Sequence, residues 1–246
     1  MGVPDDPVRL PDDRIELMNE SKRMLIVNAD DFGRSRGVNQ GIAIAHEKGI
    51  VTSASLMVRR PAAHEAASYA RNHPQISVGL HFDLGEWVYR DERWEVVEEV
   101  PGPPDEEVQR QLAAFLSLVG HKPTHLDSHQ HVHRQGEVGA VLTNLATELG
   151  VPLRACDPRI RFCGDFYGQT AKGEPLPDAI NAAALVDLLA ALPEGVTELG
   201  CHPGVGTDDD LPYGRERSIE VQTLCDPRVR AALATNGITL CSYGDL

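Results

Sequence analysis

Seven short apolar or β-branched runs alternate with stretches whose apolar residues recur at helical spacing, and this alternation limits the possible folds more than any other feature. Met24 to Ala29, Val51 to Val58, Ile76 to His81, Thr124 to Ser128, Pro152 to Ala155, Val196 to Cys201 and Ile238 to Ser242 read as strands. Between them Val38 to Lys48, Ala62 to Asn72, Asp105 to Val119, Gly136 to Leu149, Ala179 to Leu192, Ile219 to Leu224 and Arg228 to Thr235 read as helices. Such alternation builds a parallel α/β sheet, open or closed. A doubly wound dinucleotide fold wants a glycine fingerprint after the first strand, and Asn28-Ala29-Asp30-Asp31-Phe32-Gly33 is not one. The expectation is an α/β fold, a distorted or incomplete (β/α) TIM-like barrel of about seven parallel strands.

Residues 23–246 are expected to form one domain, since 246 residues at 41% hydrophobic content can bury a full core. Residues 1–22 hold three prolines and many acids, and read as an arm, either disordered or packed as a surface strap. The pattern lapses twice. Gly85 to Pro104 is longer than a connection needs and carries Trp87, Tyr89 and Trp94, while Arg159 to Pro177 breaks into Gly, Pro and aromatics. The first insertion leaves the predicted barrel mouth, so its rings are either loop core or a flat platform for a sugar ring. Trp87 and Tyr89 are therefore the candidate substrate-binding residues.

A formal charge of −14 opposes binding to nucleic acid or an anionic membrane and favours a neutral or cationic substrate. The five cysteines form no CxxC pair, and their odd number leaves at least one without an intrachain partner. They read as free thiols in a reducing compartment. Residues 1–22 lack the apolar core of a signal peptide, and no run approaches the roughly 18 apolar residues of a membrane span. A soluble cytoplasmic protein is expected, with its oligomeric state open and a homo-oligomer compatible with the chain.

The chemistry concentrates in Thr124-His125-Leu126-Asp127-Ser128-His129-Gln130-His131-Val132-His133, which gathers four of the ten histidines and one carboxylate. With strand period two, His125, Asp127, His129, His131 and His133 share one face. The other face turns polar after Leu126, so the strand should end near Ser128, leaving the later histidines in a loop. Imidazoles and a carboxylate at a strand end suit a divalent cation; the competing reading is a solvated histidine-rich loop. Position adds weight. Asp30 and Asp31 end the first predicted strand, His81 the third, Asp127 and His129 the fourth and His202 the sixth, and in a barrel those ends converge on one mouth. Adjacent Asp30 and Asp31 could divide the work, one on a cation and one on a water, or could serve as an N-cap or Asx turn. His202 is followed by Pro203-Gly204, a rigid turn, and Cys201 faces the opposite way from it.

Leu25 to Gly33, Gly49-Ile50-Val51-Thr52-Ser53, Gly79-Leu80-His81-Phe82, Lys122 to His133 and Cys201-His202-Pro203-Gly204 together resemble the YdjC-like carbohydrate deacetylases, a family that includes chitooligosaccharide deacetylases. The likeness covers about residues 24–246. It implies a distorted (β/α) barrel that removes acetyl groups from N-acetylated sugars with one divalent cation and permits Mg²⁺, while two imidazoles and a carboxylate suit Zn²⁺, Co²⁺ or Fe²⁺ by softness. By position, Asp31, His81 and His129 match the metal ligands, Asp30 the base, and His202 the acid of related polysaccharide deacetylases. Asp127, His131 and His133 are expected to orient the ligand imidazoles. Gln130 stands where a third consecutive histidine is common. The runner-up activity is a metal-dependent phosphoesterase, for which only Arg34, Arg36 and Arg134 lie near the motifs to grip phosphate. A non-catalytic carbohydrate-binding protein is the other alternative.

Overall fold

The computed structural model describes residues 22–100, 102–134, 136–206 and 213–246; the predicted arm lies outside these residues except for Lys22. The strands are β1 (Arg23–Phe32), β2 (Ser53–Leu56), β3 (Ser77–Phe82), β4 (Gly85–Arg90), β5 (Arg93–Glu99), β6 (Leu126–Ser128), β7 (Ile160–Cys163), β8 (Gly195–Cys201) and β9 (Ile238–Cys241). The helices are α1 (Arg36–Glu47), α2 (Ala63–Asn72), α3 (Pro104–Val119), α4 (Gly136–Leu149), α5 (Ala182–Ala191), α6 (Gly214–Leu224) and α7 (Pro227–Thr235).

Seven strands form one parallel sheet in the order β6-β3-β2-β1-β8-β7, with β9 also paired to β1. β8 follows β1 from Arg23 to Ala29, β9 follows its first half, and β2 joins at Asn28. The result is the expected α/β half-barrel. Two expectations about its strands need correction. Pro152 to Ala155 is not a strand: Leu153 makes a single parallel bridge to Leu126, and Ala155 at φ 57 turns the chain away. Ile160–Cys163, inside the stretch read as irregular, is a strand instead, paired to β8. Its four residues are too few to register an alternation among the surrounding turns.

The long insertion is an antiparallel β4–β5 hairpin. Two arginines in the turn after β2 tie it down: Arg60 reaches Asp83 at 2.7 Å and Glu98 at 2.7 Å, and Arg59 reaches Glu107 on α3 at 3.4 Å. Local caps place the helices. Ser35 Oγ accepts from Val38 N–H to start α1, and Gly120 at φ 91 closes α3 in the left-handed conformation that costs glycine least.

Side-chain parity along β1 sorts the core. Leu25, Val27 and Ala29 enter the large cluster with Leu199 of β8 and the helix residues Ile42, Phe115 and Leu185. Ile26 points the other way, packing with Ile160, Cys241 and Tyr243. Residues of the same parity further along β1 are Asn28 and Asp30, so the inner face passes from apolar to polar toward the carboxyl end. Among the described residues no helix is long and apolar enough to cross a membrane.

Candidate active site

Strict alternation would send Asp31 outward, with Val27 and Ala29. A β-bulge between Ala29 and Phe32 prevents it: three steps of β1 match two of β2, and Asp31 takes φ 66. Both carboxylates therefore face inward and are buried, at 4% and 1% exposure.

Asp31, His81 and His129 come together, each offering a ligand atom within 4.8 Å of the others. Asp31 Oδ1 lies 3.3 Å from His129 Nδ1 and 3.7 Å from His81 Nε2, yet it is buried without a hydrogen-bond partner. An orphaned carboxylate oxygen between two imidazole nitrogens fits a divalent cation. His81 is prepared for that role: its Nδ1 donates to Asp127 Oδ1 at 2.8 Å, leaving Nε2 toward Asp31. Burial opposes the charge of Asp31, but the Arg217 guanidinium, then His129 and Arg34, outweigh it and hold the carboxyl well below its usual range. Burial likewise opposes charge on His129, but Asp31 and Glu86 outweigh it and raise the imidazole to about 9. The cluster is thus an acid–base lattice whose histidines must release protons to bind a metal.

Asp30, His81 and Asp127 also lie within 4.8 Å of one another, but here a cation is already built in. Arg154, 1% exposed, donates from both Nη atoms to Asp30 at 2.6 Å and lies 2.8 Å from Asp127 and 2.7 Å from Glu198. Burial opposes ionisation of Asp30, yet Arg154 overrides it and keeps the carboxyl lowered. Beneath this pair, Ser55 Oγ donates to Asp127 at 2.6 Å and Asn28 Nδ2 to Ser55 at 2.8 Å. His125 stacks on Tyr243 with ring centroids 3.8 Å apart. That ring is why residue 79 is glycine: a Cβ there would lie 2.5 Å from the His125 imidazole.

His202 stands across the mouth, its Nε2 3.8 Å from Asp30 Oδ2. Burial is the main reason its imidazole falls to about 4, and Nδ1 is buried without a partner. Its backbone N–H and the Tyr213 hydroxyl both donate to Glu220, which burial pushes up to about 8. A carboxyl raised this far binds a proton in the folded state that the unfolded chain releases above about 4.5. Its stabilising contribution is therefore complete below about 4.5 and lost as pH rises through about 8. Glu220→Gln should remove that dependence: between pH values of about 5 and about 9, denaturant midpoints of metal-free wild type should fall more steeply than those of the variant. Parallel profiles would show that Glu220 does not carry a shifted proton.

The other predicted residues find different partners. Strand parity stops at the 3₁₀ turn His129–Arg134, where Gln130 and His131 have φ 52 and 55. In place of orienting His81 or His129, His133 pairs with Ser128 Oγ at 2.7 Å and the Arg154 carbonyl at 3.1 Å. His131 packs edge-on against Phe162, 5.2 Å between centroids. Gln130 clamps the hairpin, accepting from Trp87 N–H at 3.0 Å and donating to the Trp87 carbonyl at 2.7 Å. Tyr89 stands edge-on to Trp94 with Lys172 6.0 Å over its ring.

Sequence reasoning missed Arg154, Arg217, Glu86, Glu220 and Tyr167. Glu86 accepts from Arg34 at 2.7 Å, and Tyr167 stacks on Tyr213 and stands edge-on to His202. One signal was present: Glu198 lies within the otherwise uncharged run Val196 to Cys201, and a buried carboxylate needs a cation. Which arginine answers it is not readable from the chain.

A family model described as YdjC-like protein matches residues 24–235. The chain belongs to the YdjC-like family. Among curated relatives, the chitooligosaccharide deacetylase of Serratia marcescens is 33% identical, covering 92% of this chain and 100% of its own. The carbohydrate deacetylase of Geobacillus stearothermophilus is 36% identical over 90% of this chain and 97% of its own. A solved Enterococcus faecalis V583 structure, named as a candidate cellobiose-phosphate cleavage protein, superposes with TM-score 0.74 at 26% identity, over 92% of this chain and 99% of that one. A peptidoglycan N-acetylglucosamine deacetylase shares the fold with TM-score 0.58 at 14% identity, over 91% of this chain and 87% of that one.

Proposed function

We propose that this protein is a metal-dependent carbohydrate deacetylase that hydrolyses the acetamido group of N-acetylated sugars. The observation that carries the reading is the orphaned Asp31 Oδ1, buried between His81 Nε2 and His129 Nδ1 with Asp30 beside it. The names of the Serratia and Geobacillus relatives support the reaction and the substrate class. Asp31, His81 and His129 would hold one divalent cation; imidazole favours Zn²⁺ or Co²⁺, and the carboxylate also admits Mg²⁺. Bound there, the cation supplies Lewis acidity, polarising an amide carbonyl and lowering the pKa of water toward about 7.

The remaining work falls to side chains. Asp30, ionised and held by both Arg154 nitrogens, takes the proton of the attacking water. His202 enters neutral at pH 7, so the proton it passes to the departing amine is the one Asp30 has taken, across the 3.8 Å between them. Asp127 keeps His81 in the tautomer that presents Nε2. Trp87 and Tyr89, on a hairpin clamped beside His129 by Gln130, serve as the sugar platform.

Phosphoester hydrolysis finds less support. The guanidinium groups described at the site already face carboxylates: Arg34 with Glu86, Arg154 with Asp30 and Arg217 with Asp31. The deciding experiment measures acetate release from N-acetylglucosamine and its oligomers with Mg²⁺, Zn²⁺ and Co²⁺ supplied separately. Acetate that appears with at least one ion and vanishes with chelator is the expected result. Phosphate release from a generic phosphoester without acetate, or sugar binding unaffected by chelator and without turnover, would replace the proposal.

A further inference from the structure

Arg217 sits in the first turn of α6 at 5% exposure, and its guanidinium spans two groups of the site. Nη2 donates to Asp31 Oδ2 at 2.5 Å, and Nη1 donates to the His202 carbonyl at 3.3 Å. The backbone fixes the residue as well, because the Arg217 carbonyl accepts from Gly204 N–H at 3.2 Å. Its stem leaves no spare room: a Cβ at Gly204 would lie 3.0 Å from Arg217 Cδ.

The two oxygens of Asp31 are therefore unequal. Oδ2 is occupied by a guanidinium that never deprotonates, whereas Oδ1 has no hydrogen-bond partner and faces the two imidazoles. We infer that Arg217 is a positioning residue that restricts Asp31 to a single ligand oxygen, which keeps coordination positions open at a cation held by Asp31, His81 and His129. The inference rests on the cation reading of those three residues. Carboxylates bind divalent metals through one oxygen or two, and a catalytic site works by leaving a position for water or substrate beside its three protein ligands. Without Arg217 the Asp31 carboxylate could chelate and close such a position. The charge-assisted bond at Oδ2 makes that switch costly.

The test compares wild type with Arg217→Met, each titrated with cobalt(II) and followed by its d–d absorption, which reports coordination number and geometry. Both proteins are expected to take up one ion, and the band per bound cobalt in Arg217→Met should be weaker by about twofold or more, as a chelating carboxylate raises the coordination number. Superimposable bands would overturn the role given to Arg217 while leaving the cation site intact. Wild type that takes up no cobalt would instead remove the cation reading and this inference with it. Should Arg217→Met fail to fold, X-ray absorption at the metal edge of zinc-loaded wild type reads the same point. One carboxylate oxygen at the metal upholds the inference, and a chelating carboxylate overturns it.

Discussion

Asp30→Asn is expected to keep its cation and to lose deacetylation by at least about a hundredfold, the scale of a lost general base. The separation is possible because the bulge in β1 gives Asp30 and Asp31 different neighbours. Asp31 leans on His81 and His129, while Asp30 accepts from Arg154 and from Asn28 Nδ2 at 2.9 Å. An asparagine amide can keep one of those acceptor roles but cannot hold a proton taken from water. Arg154 retains Asp127 and Glu198, so the variant should stay folded. Metal stoichiometry and initial rates of acetate release decide the matter. Activity within about tenfold of wild type would take the base role away from Asp30.

Arg154→Met should be the most destabilising single change in the barrel, lowering the unfolding free energy by about 3–5 kcal/mol, because it strands three buried carboxylates at once. The pH dependence should change with it. In wild type, Arg154 lowers Asp30 and Asp127 against the opposing effect of burial, so their contribution to stability is present above about 3.8 and is lost as pH falls through the lower folded values. With the guanidinium gone, burial dominates and raises both groups. Their protonation then favours folding, so the variant should lose stability as pH rises toward neutral. Denaturant titrations across the acid range would show it, and a loss below about 1 kcal/mol at pH 7 would mean that Asp30, Asp127 and Glu198 find other partners.

Much of the fold was legible because periodicity survives without knowledge of contacts. α4 matches its predicted limits, Gly136 to Leu149, and the inward residues of β1, β3 and β6 end in the acids and histidines that stood out in the chain. Parity failed where the backbone left the strand. The left-handed residues Asp31, Gln130 and His131 reverse the faces that strict alternation assigns, which turns Asp31 into the site and sends His131 and His133 to other partners. None of the three is glycine, and the enrichment of Asp and His in that conformation is too weak to locate it in the chain. β7 escaped notice for the opposite reason: a four-residue strand owes its existence to the β8 edge rather than to its own pattern.

From residue types and spacing came most of the order of strands and helices and the convergence of Asp30, Asp31, His81, His129 and His202 on one end, while the quoted motifs carried the resemblance to the family to which the chain belongs. Tertiary structure decided the charge balance of that end. Arg154 lies 124 residues from Asp30, and Arg217 lies 186 residues from Asp31. A buried carboxylate requires a counter-charge, yet any arginine brought near in space can supply it. Sequence thus records the demand for a cation, and only packing selects which side chain meets it and which carboxylate oxygen is left for a metal.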